Sequence, residues 1–389
     1  MKQATRLVHA GRHPADHYGM VNTPVYHAST VLFDSLAAFD ASQAAPFSGV
    51  HYGRLGTPTQ FAFEQAMAEL EGAHGAVSTC SGLAAIATAL LSVMQAGDHL
   101  LVADNVYGPT RKFCDGLLAR LGVETEYVDP LISADDLARR FRDNTRALFL
   151  EAPGSLTFEI SDVPALAGIA RERGASVIAD NTWGTPVYFD AFAHGIDLSV
   201  HAATKYIVGH SDAMLGVVSC RDAEHYRAVR HTSIALGYCA GPDDVYLGAR
   251  GLRTLGQRLP VHEANGLALA NWLAEQPAVA RVLHPARADH PQHHLWQRDF
   301  TGACGLFAIE LVPGDRRQLA ALIDDLAYYG LGASWGGYES LVLPVEPATS
   351  RTATRWPSEG PLLRIHAGLE DITDLIDDMD AGLARYTGA

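Results

Sequence analysis

Short apolar segments with strand character alternate with helical segments through the middle of the chain, and this alternation restricts the possible folds more than any other feature. Apolar segments lie at 99–104, 147–150, 176–179 and 198–201, and helical patterns at 134–142 and 163–173 separate some of them. Strands that are apolar on both faces and connected through helices are typical of a parallel sheet covered on both sides. We therefore expect an α/β fold.

Three regions with different patterns indicate the domain organisation. The chain has 389 residues, which exceeds the ~250–300 residues of a single core. Residues 1–55 lack sustained periodicity and predict an extended N-terminal arm, and 56–250 hold the alternating pattern. Residues 251–389 predict a smaller α+β domain. Its predicted elements are helices at 261–275, 316–329 and 371–385 and a strand at 305–311.

Glycines mark two predicted helix ends in the middle region. A helical pattern over 61–70 ends at Gly72, and a largely apolar one over 83–95 is followed by Gly97. Because glycine readily takes the left-handed conformation that ends many helices, we expect both glycines to lie just beyond a helix end.

Composition excludes several functional classes. The net charge of −15 argues against nucleic acid or anionic membranes as partners. No stretch resembles a signal peptide or reaches the ~20 apolar residues of a membrane span. Five scattered cysteines without a C-x-x-C motif predict reduced thiols in a cytoplasmic protein. They leave the role of Cys80 open.

Lys205 is the most unusual basic residue. The chain has only the lysines Lys2, Lys112 and Lys205 and otherwise uses arginine. Lysine differs from arginine because it can lose its proton and form an imine. Lys205 follows an apolar strand, at the edge where open α/β sheets bind ligands. A lysine in a surface loop is the alternative.

Asp180 ends the strand at 176–179 and is predicted to lie at the same edge. A lysine for a Schiff base and an aspartate for a pyridinium nitrogen are the two groups that a pyridoxal 5'-phosphate (PLP) site requires. A turn or helix-capping role is the alternative for Asp180.

Three further segments carry side chains suited to such a site. Ser81-Gly82-Leu83 opens an apolar helix, whose N-terminal N–H groups suit a phosphate, or forms an ordinary N-cap. Tyr107 follows a strand and either stacks on a ring or fills a loop. Arg364 lies inside an apolar strand and needs an anion, which is either a substrate carboxylate or an internal acid.

Two other kinds of site have weaker support. No G-x-G-x-x-G or G-x-x-x-x-G-K-[ST] motif occurs, so a dinucleotide or P-loop site lacks its fingerprint. The histidine-rich segment at 290–294 has no second ligand cluster and predicts a solvated loop, so no metal site is expected.

Ordered motifs over nearly the whole chain resemble the Cys/Met-metabolism family of PLP enzymes, which have fold type I, and within it the bacterial β-lyase branch. The motifs are 52–54 (YGR), 69–72 (ELEG), 97–99 (GDH), 151–155 (EAPGS), 180–183 (DNTW), 203–212 (ATKYIVGHSD), 334–340 (SWGGYES) and 364–371 (RIHAGLED). The resemblance implies a mostly parallel seven-stranded sheet in the large domain.

The resemblance also implies roles at the cofactor. Lys205 would form the Schiff base, Asp180 would bind the pyridine nitrogen and Tyr107 would stack on the ring, with Lys205 and Tyr107 as the catalytic residues. The phosphate would be held by three groups: the amides of Gly82 and Leu83 and the hydroxyl of Thr204.

Substrate and partner contacts follow in the same way. Arg364, with Ser334 and Trp335, would bind the substrate α-carboxylate. Tyr52 and Arg54 would reach the phosphate from a neighbouring subunit, with Tyr52 also near the substrate. The resemblance therefore implies a homo-oligomer, with a dimer as the minimal active unit and a tetramer as the usual assembly in the family.

One motif departs from the family. Many relatives carry S-x-T-K around the lysine, whereas this chain has Ala202-Ala203-Thr204-Lys205. One phosphate-binding hydroxyl is thus missing. We expect phosphate binding to persist, because a single neutral hydrogen bond contributes only ~0.5–1.5 kcal/mol.

The implied reaction is β-elimination of L-cystathionine to homocysteine, pyruvate and ammonia, a step of methionine biosynthesis and transsulfuration. γ-Synthase, γ-lyase and methionine γ-lyase activities are the alternatives within the family, and cysteine desulfhydration or alanine racemisation are conceivable side reactions. Trp335 matches β-lyases, and Tyr107-Gly108-Pro109 lacks the cysteine of methionine γ-lyases. A nicotinamide-dependent dehydrogenase and a non-catalytic PLP-binding regulator are alternatives from other classes.

Overall fold

The computed structural model describes residues 1–44, 47 and 49–388. The helices are α1 Gln3–His9, α2 Leu36–Ala44, α3 Pro58–Glu71, α4 Gly82–Val93, α5 Gly108–Phe113, α6 Ala134–Arg140, α7 Val163–Glu172, α8 Thr185–Tyr188, α9 Ala223–Leu236, α10 Pro242–Leu273, α11 His293–Asp299, α12 Arg316–Ile323 and α13 Ile372–Thr387. The strands are β1 Gly75–Thr79, β2 His99–Ala103, β3 Glu124–Val128, β4 Thr145–Glu151, β5 Ser176–Asp180, β6 Leu198–His201, β7 Gly216–Cys220, β8 Val279–Leu283, β9 Leu306–Leu311, β10 Tyr329–Leu331, β11 Ser340–Val345 and β12 Leu362–His366.

A seven-stranded sheet forms the centre of the larger part of the molecule. Its strand order is β1-β7-β6-β5-β4-β2-β3, with β7 antiparallel to both neighbours and the other pairs parallel. Strands β2, β4, β5 and β6 are almost entirely buried, as their apolar sequences require. The predicted α/β fold with a mostly parallel seven-stranded sheet is confirmed.

A five-stranded sheet, in the order β10-β11-β12-β9-β8, lies in the C-terminal part. Helices α12 and α13 and the end of α10 pack on it around a second core that contains Phe307, Leu322, Ile365 and Met379. The predicted α+β character of this region is therefore confirmed.

Helix α10 connects the two cores. Its first half buries Val245, Leu252 and Leu259 in the large core, and its end buries Leu269 and Leu273 in the second. The sequence prediction of a helix at 261–275 missed the first half of α10, because Pro260 looks like a helix start yet lies inside the helix. The boundary predicted at 250/251 falls within α10, and the division into domains there stays a prediction.

Two other element predictions were wrong. The helix predicted at 316–329 ends at Ile323, and Tyr329 begins strand β10. Helix α4 ends at Val93 with an extended C-cap at Met94, so Gly97 does not end the helix. Gly97 has a φ of +90° and its N–H bonds to Gly122 O, which places it in the turn before β2.

The N-terminal segment is only partly an extended arm. Helix α1 docks on the large core, where Leu7 and Ala10 are buried and Arg253 donates hydrogen bonds to both of their carbonyl oxygens. Helix α2, in contrast, has no buried residue. None of the helices described is both long and apolar enough to cross a membrane.

Candidate active site

A cavity of about 340 Å³ opens at the carboxyl ends of β4, β5 and β6. Most of the residues predicted from the sequence line it: Gly82, Leu83, Tyr107, Asp180, Thr204, Lys205, Trp335 and Arg364. Parallel strands deliver their ends to one edge of a sheet, so residues far apart in sequence converge there.

Lys205 lies four residues beyond β6 and is largely buried. Its Nζ donates a hydrogen bond to Ser334 Oγ at 2.6 Å. Burial, followed by the nearby positive charge of Arg364, lowers the pKa of Lys205 to about 8. A lysine in this setting is neutral in a useful fraction near neutral pH, which a nucleophile or a general base requires.

Asp180, the last residue of β5, is buried beside Lys205. Its Oδ1 accepts hydrogen bonds from the backbone N–H of Thr182, at 3.0 Å, and from the Thr182 hydroxyl. The same hydroxyl accepts a bond from the N–H of Ala202 at 2.9 Å. Burial raises the pKa of Asp180, while the bonds from Thr182 oppose that rise. A cationic ring nitrogen would complete this environment.

The N-terminus of α4 offers donors for a phosphate. Ser81 caps the helix by accepting the N–H of Ala84 at 3.1 Å, which leaves the N–H groups of Gly82 and Leu83 free of helical partners. A Cβ on Gly82 would lie 2.5 Å from the Cβ of Ala202, so the close approach of this helix to the 202–205 loop requires glycine.

The hydroxyl of Thr204 already has backbone partners. It accepts the N–H of Leu215 at 2.9 Å and donates to the Leu215 carbonyl at 3.1 Å. The predicted phosphate contact would require this hydroxyl to turn away from the carbonyl oxygen, and it stays a prediction.

Tyr107 is the N-cap residue of α5 and is 43% exposed. Its backbone N–H donates to Glu151 Oε2 at 2.6 Å. Burial raises the pKa of the Tyr107 phenol, and the carboxylates Glu151 and Asp180 add to that rise. Tyr107 is therefore a neutral ring held at the cavity mouth by its backbone.

Arg364, in β12, faces the cavity from the C-terminal part and donates from Nη2 to Ser334 O at 2.9 Å. Burial lowers its pKa to about 10. Within the described residues it forms no ion pair with an acid, which favours a substrate carboxylate over an internal one. Trp335 packs against Tyr206, and its ring centroid lies 5.5 Å from Lys205 Nζ.

Tyr52 and Arg54 lie away from this cavity in the same chain. They line a separate cavity of about 370 Å³ that also includes Cys239, and Arg54 Nη1 donates to Ile234 O at 3.1 Å. This placement is compatible with their predicted contact to the site of another subunit.

The predicted solvated histidine loop was wrong, because His290 is buried and His293 begins α11 and stacks on Trp296. Among the described residues no cluster suited to a metal ion was found.

The sequence analysis gave no role to Glu151, although its position at the end of an apolar strand was a usable signal.

The residues present fit PLP at three of its polar groups: the ring nitrogen, the aldehyde and the phosphate. Asp180 is a buried carboxylate suited to a ring nitrogen, and Lys205 is an amine with a lowered pKa suited to the aldehyde. The N–H groups of Gly82 and Leu83, at the start of a 12-residue helix, suit the phosphate. Gly82 also allows these N–H groups to approach the 202–205 loop, because a Cβ there would lie 2.5 Å from Ala202 Cβ.

Comparisons with known proteins agree with this chemistry. Residues 4–384 match the profile of the Cys/Met metabolism PLP-dependent enzymes. The chain is 44% identical to the cystathionine beta-lyase of Escherichia coli, covering 99% of this chain and 98% of the relative. It is 40% identical to that of Salmonella typhimurium, covering 98% of each. A crystal structure of cystathionine gamma synthase from Xanthomonas oryzae pv. oryzae superposes with a TM-score of 0.92 at 34% identity, covering 100% of this chain and 99% of the other.

Proposed function

This chain belongs to the Cys/Met metabolism family of PLP-dependent enzymes, and we propose that it is a carbon–sulfur lyase that performs β-elimination on L-cystathionine. The observation that carries the proposal is the single cavity in which Lys205, Asp180, Tyr107, Trp335 and Arg364 meet. Full-length similarity to cystathionine beta-lyases supports the choice of substrate.

Substrate binding rests on Arg364. Its guanidinium is buried without an acidic partner among the described residues, and a planar α-carboxylate matches its fork of donors. Ser334 links the two functional cations, because its carbonyl accepts from Arg364 and its hydroxyl accepts from Lys205. A substrate held by Arg364 would therefore bring its Cα close to Lys205 Nζ.

Lys205 moves the protons. Once its amine is free, the neutral Nζ of Lys205 would take the proton from the substrate Cα as general base. The same group then returns a proton to the sulfur that leaves Cβ as homocysteine. The hydrogen bond to Ser334 Oγ would keep Nζ on the side of the cavity where Arg364 lies.

The surroundings of the ring complete the account. PLP supplies, when bound, an electron sink for the carbanion at Cα. Asp180 would provide the negative charge beside the ring nitrogen, and Tyr107 would stack on the ring, since both line the same cavity. The three-carbon fragment that remains hydrolyses to pyruvate and ammonia.

Product analysis tests this assignment against the γ-reactions, which the similarity to a γ-synthase structure makes a serious alternative. Purified protein supplied with PLP and L-cystathionine should release pyruvate and homocysteine. Release of 2-oxobutyrate and cysteine would instead assign a γ-lyase, and a protein that binds no PLP would overturn the proposal.

We further propose a cytoplasmic homotetramer whose active site takes Tyr52 and Arg54 from a neighbouring chain. Both residues lie outside their own chain's cavity. Mixing a Lys205→Ala chain with a Tyr52→Phe chain, each strongly impaired alone, should restore activity, because some mixed dimers contain one intact site. No recovery after verified subunit exchange would show that each chain builds its site alone.

A further inference from the structure

Two carboxyl groups stand side by side at the edge of the sheet. Glu151 ends β4 and Asp180 ends β5, and the two residues are register partners in this parallel pair. Both line the cavity that we assign to PLP. The proposed function uses Asp180 and gives no task to Glu151.

The two carboxyl groups differ in the partners that stabilise a negative charge. Asp180 Oδ1 accepts two hydrogen bonds from Thr182, and the charge of Lys205 also favours its anion. Glu151 accepts one backbone N–H, from Tyr107, on Oε2. Within the described part of the chain, Glu151 Oε1 has no hydrogen-bond partner, and Glu151 forms no ion pair.

Two neighbouring carboxyl groups in a buried site do not readily both ionise, because two like charges close together destabilise each other. Burial raises the pKa of Glu151 well above its ordinary value, and the charge of Asp180 raises it further. Burial raises the pKa of Asp180 too, but the hydrogen bonds from Thr182 and the charge of Lys205 oppose that rise. The proton of the pair therefore belongs on Glu151.

We propose that Glu151 is a protonated positioning residue, with Oε2 fixing the backbone of Tyr107 and the acid O–H on Oε1 serving as a neutral donor to the bound cofactor or substrate. This inference rests on the proposed function, since it assumes PLP in the cavity. A neutral Glu151 leaves Asp180 as the anion of the pair, which the ring nitrogen needs.

The matched variants Glu151→Gln and Asp180→Asn test the proposal, because each replaces a carboxyl group by an amide of nearly the same shape. Infrared spectra of the holoenzyme at neutral pH should contain the C=O stretch of a protonated carboxylic acid. Glu151→Gln should remove this band, and Asp180→Asn should not remove it. Loss of the band only in Asp180→Asn, or its absence in the wild type, would overturn the proposal.

Cofactor affinity gives a second readout. Asp180→Asn removes a required anion and should weaken PLP binding by at least tenfold more than Glu151→Gln, which keeps a neutral side chain with an acceptor oxygen and an N–H donor. Equal losses in the two variants would contradict a neutral Glu151. If Glu151→Gln does not fold, Glu151→Asp should keep the carboxylic-acid band while it loosens Tyr107, seen as weakened PLP binding.

Thermal unfolding against pH gives a third readout, with a defined sign. The pKa of Glu151 is higher in the folded than in the unfolded protein, so its contribution to stability is complete below ~4.3, the unfolded value, and is lost as pH rises towards the folded value. The Tm of the wild type should therefore fall relative to that of Glu151→Gln over this range. A difference in Tm between the two proteins that stays constant with pH would contradict the proposal.

Absence of PLP binding or of pyruvate would overturn the proposed function, whereas the infrared band reports on Glu151 independently.

Discussion

At the scale of single residues, the surroundings of Lys205 determine what the cavity can do. A solvent-exposed lysine is almost fully charged at neutral pH and is a poor base. Burial and the charge of Arg364 bring the pKa of Lys205 to about 8, near the range in which general bases are most effective. Ser334 then fixes the direction of the amine.

Replacing Lys205 should stop the chemistry with little effect on the fold. Lys205→Ala removes the base that takes the Cα proton, and general-base catalysis contributes ~10²–10⁴-fold, so we expect pyruvate formation to fall by at least 100-fold. Lys205→Arg should be similarly inactive, because arginine keeps its charge but does not lose its proton. Circular dichroism would verify folding. Activity of Lys205→Ala within tenfold of the wild type would contradict the role.

The pH dependence of kcat should reflect the same lysine. A general base acts in its neutral form, so kcat at saturating L-cystathionine should rise with pH up to a limb near the pKa of about 8. Arg364→Gln removes a charge that lowers the pKa of Lys205 and should move the limb to higher pH. Steady-state rates measured from about pH 6 to about pH 10 would locate this limb in the wild type and in Arg364→Gln, since the range brackets the pKa of about 8. A limb that stays in place or moves to lower pH would count against the pairing.

At the scale of elements, the start of α4 and the 202–205 loop must approach closely. Gly82→Ala would place a Cβ 2.5 Å from Ala202 Cβ and 2.9 Å from its Cα, so the helix or the loop must move. We expect PLP affinity to fall by about tenfold or more, since the free N–H groups of α4 shift with the helix. Equilibrium dialysis of PLP would measure this change.

The matched control for Gly82→Ala is Gly168→Ala. Gly168 lies inside α7, where an added Cβ meets nothing within 4 Å. This change should leave PLP affinity unaltered and stabilise the protein by up to ~1 kcal/mol, because alanine favours helix. Equal losses of PLP affinity in the two variants would show that the close contact between Gly82 and Ala202 does not determine that affinity.

The sequence predicted the central elements well because their signals are local. The apolar strands β2, β4, β5 and β6 have a composition that suits a sheet buried on both faces. Helix α10 was only half predicted, because a tertiary core on both sides supports a helix that Pro260 would otherwise interrupt. Local pattern does not reveal such support.

The site residues, like the elements, were predicted where the signal is local and missed where it depends on long-range pairing. Lys205 and Asp180 were predicted from their residue types at strand ends, and the structure brings both to one cavity. Glu151 was missed because its significance comes from its register with Asp180, which is a long-range pairing that one sequence does not reveal. The burial of His290 was missed because it depends on contacts distant in sequence, such as those near Phe158 and Glu159.

At the scale of the whole molecule, Asp104 ties the loop that connects β11 and β12 to the seven-stranded sheet. Its carboxylate forms a buried ion pair with Arg111 and accepts the N–H groups of Thr352, Ala353 and Thr354 at 3.1, 3.0 and 2.7 Å. In addition, Arg351 Nη1 donates to Glu159 at 2.7 Å. Several charge-assisted bonds thus join distant parts of the chain.

Asp104→Ala should destabilise the protein strongly, because it leaves Arg111 buried without its partner and frees three backbone donors. Breaking a buried pair from one side costs ~3–5 kcal/mol, which we expect as the fall in unfolding free energy from urea denaturation. Asp377→Ala, at an exposed position of α13, is the control and should change stability by less than ~0.5 kcal/mol. A loss below ~1 kcal/mol for Asp104→Ala would show that this connection contributes little.

Mapping the attachment point of the cofactor tests the central claim, that Lys205 holds PLP and performs the proton transfers. Borohydride reduction of the holoenzyme fixes the cofactor covalently onto the amine that binds it, and peptide mass spectrometry then locates the modified lysine. The chain has only Lys2, Lys112 and Lys205, so the result is unambiguous. We predict the pyridoxyl group on Lys205 alone. Modification of Lys112 or Lys2 instead, or no modified lysine, would contradict the account.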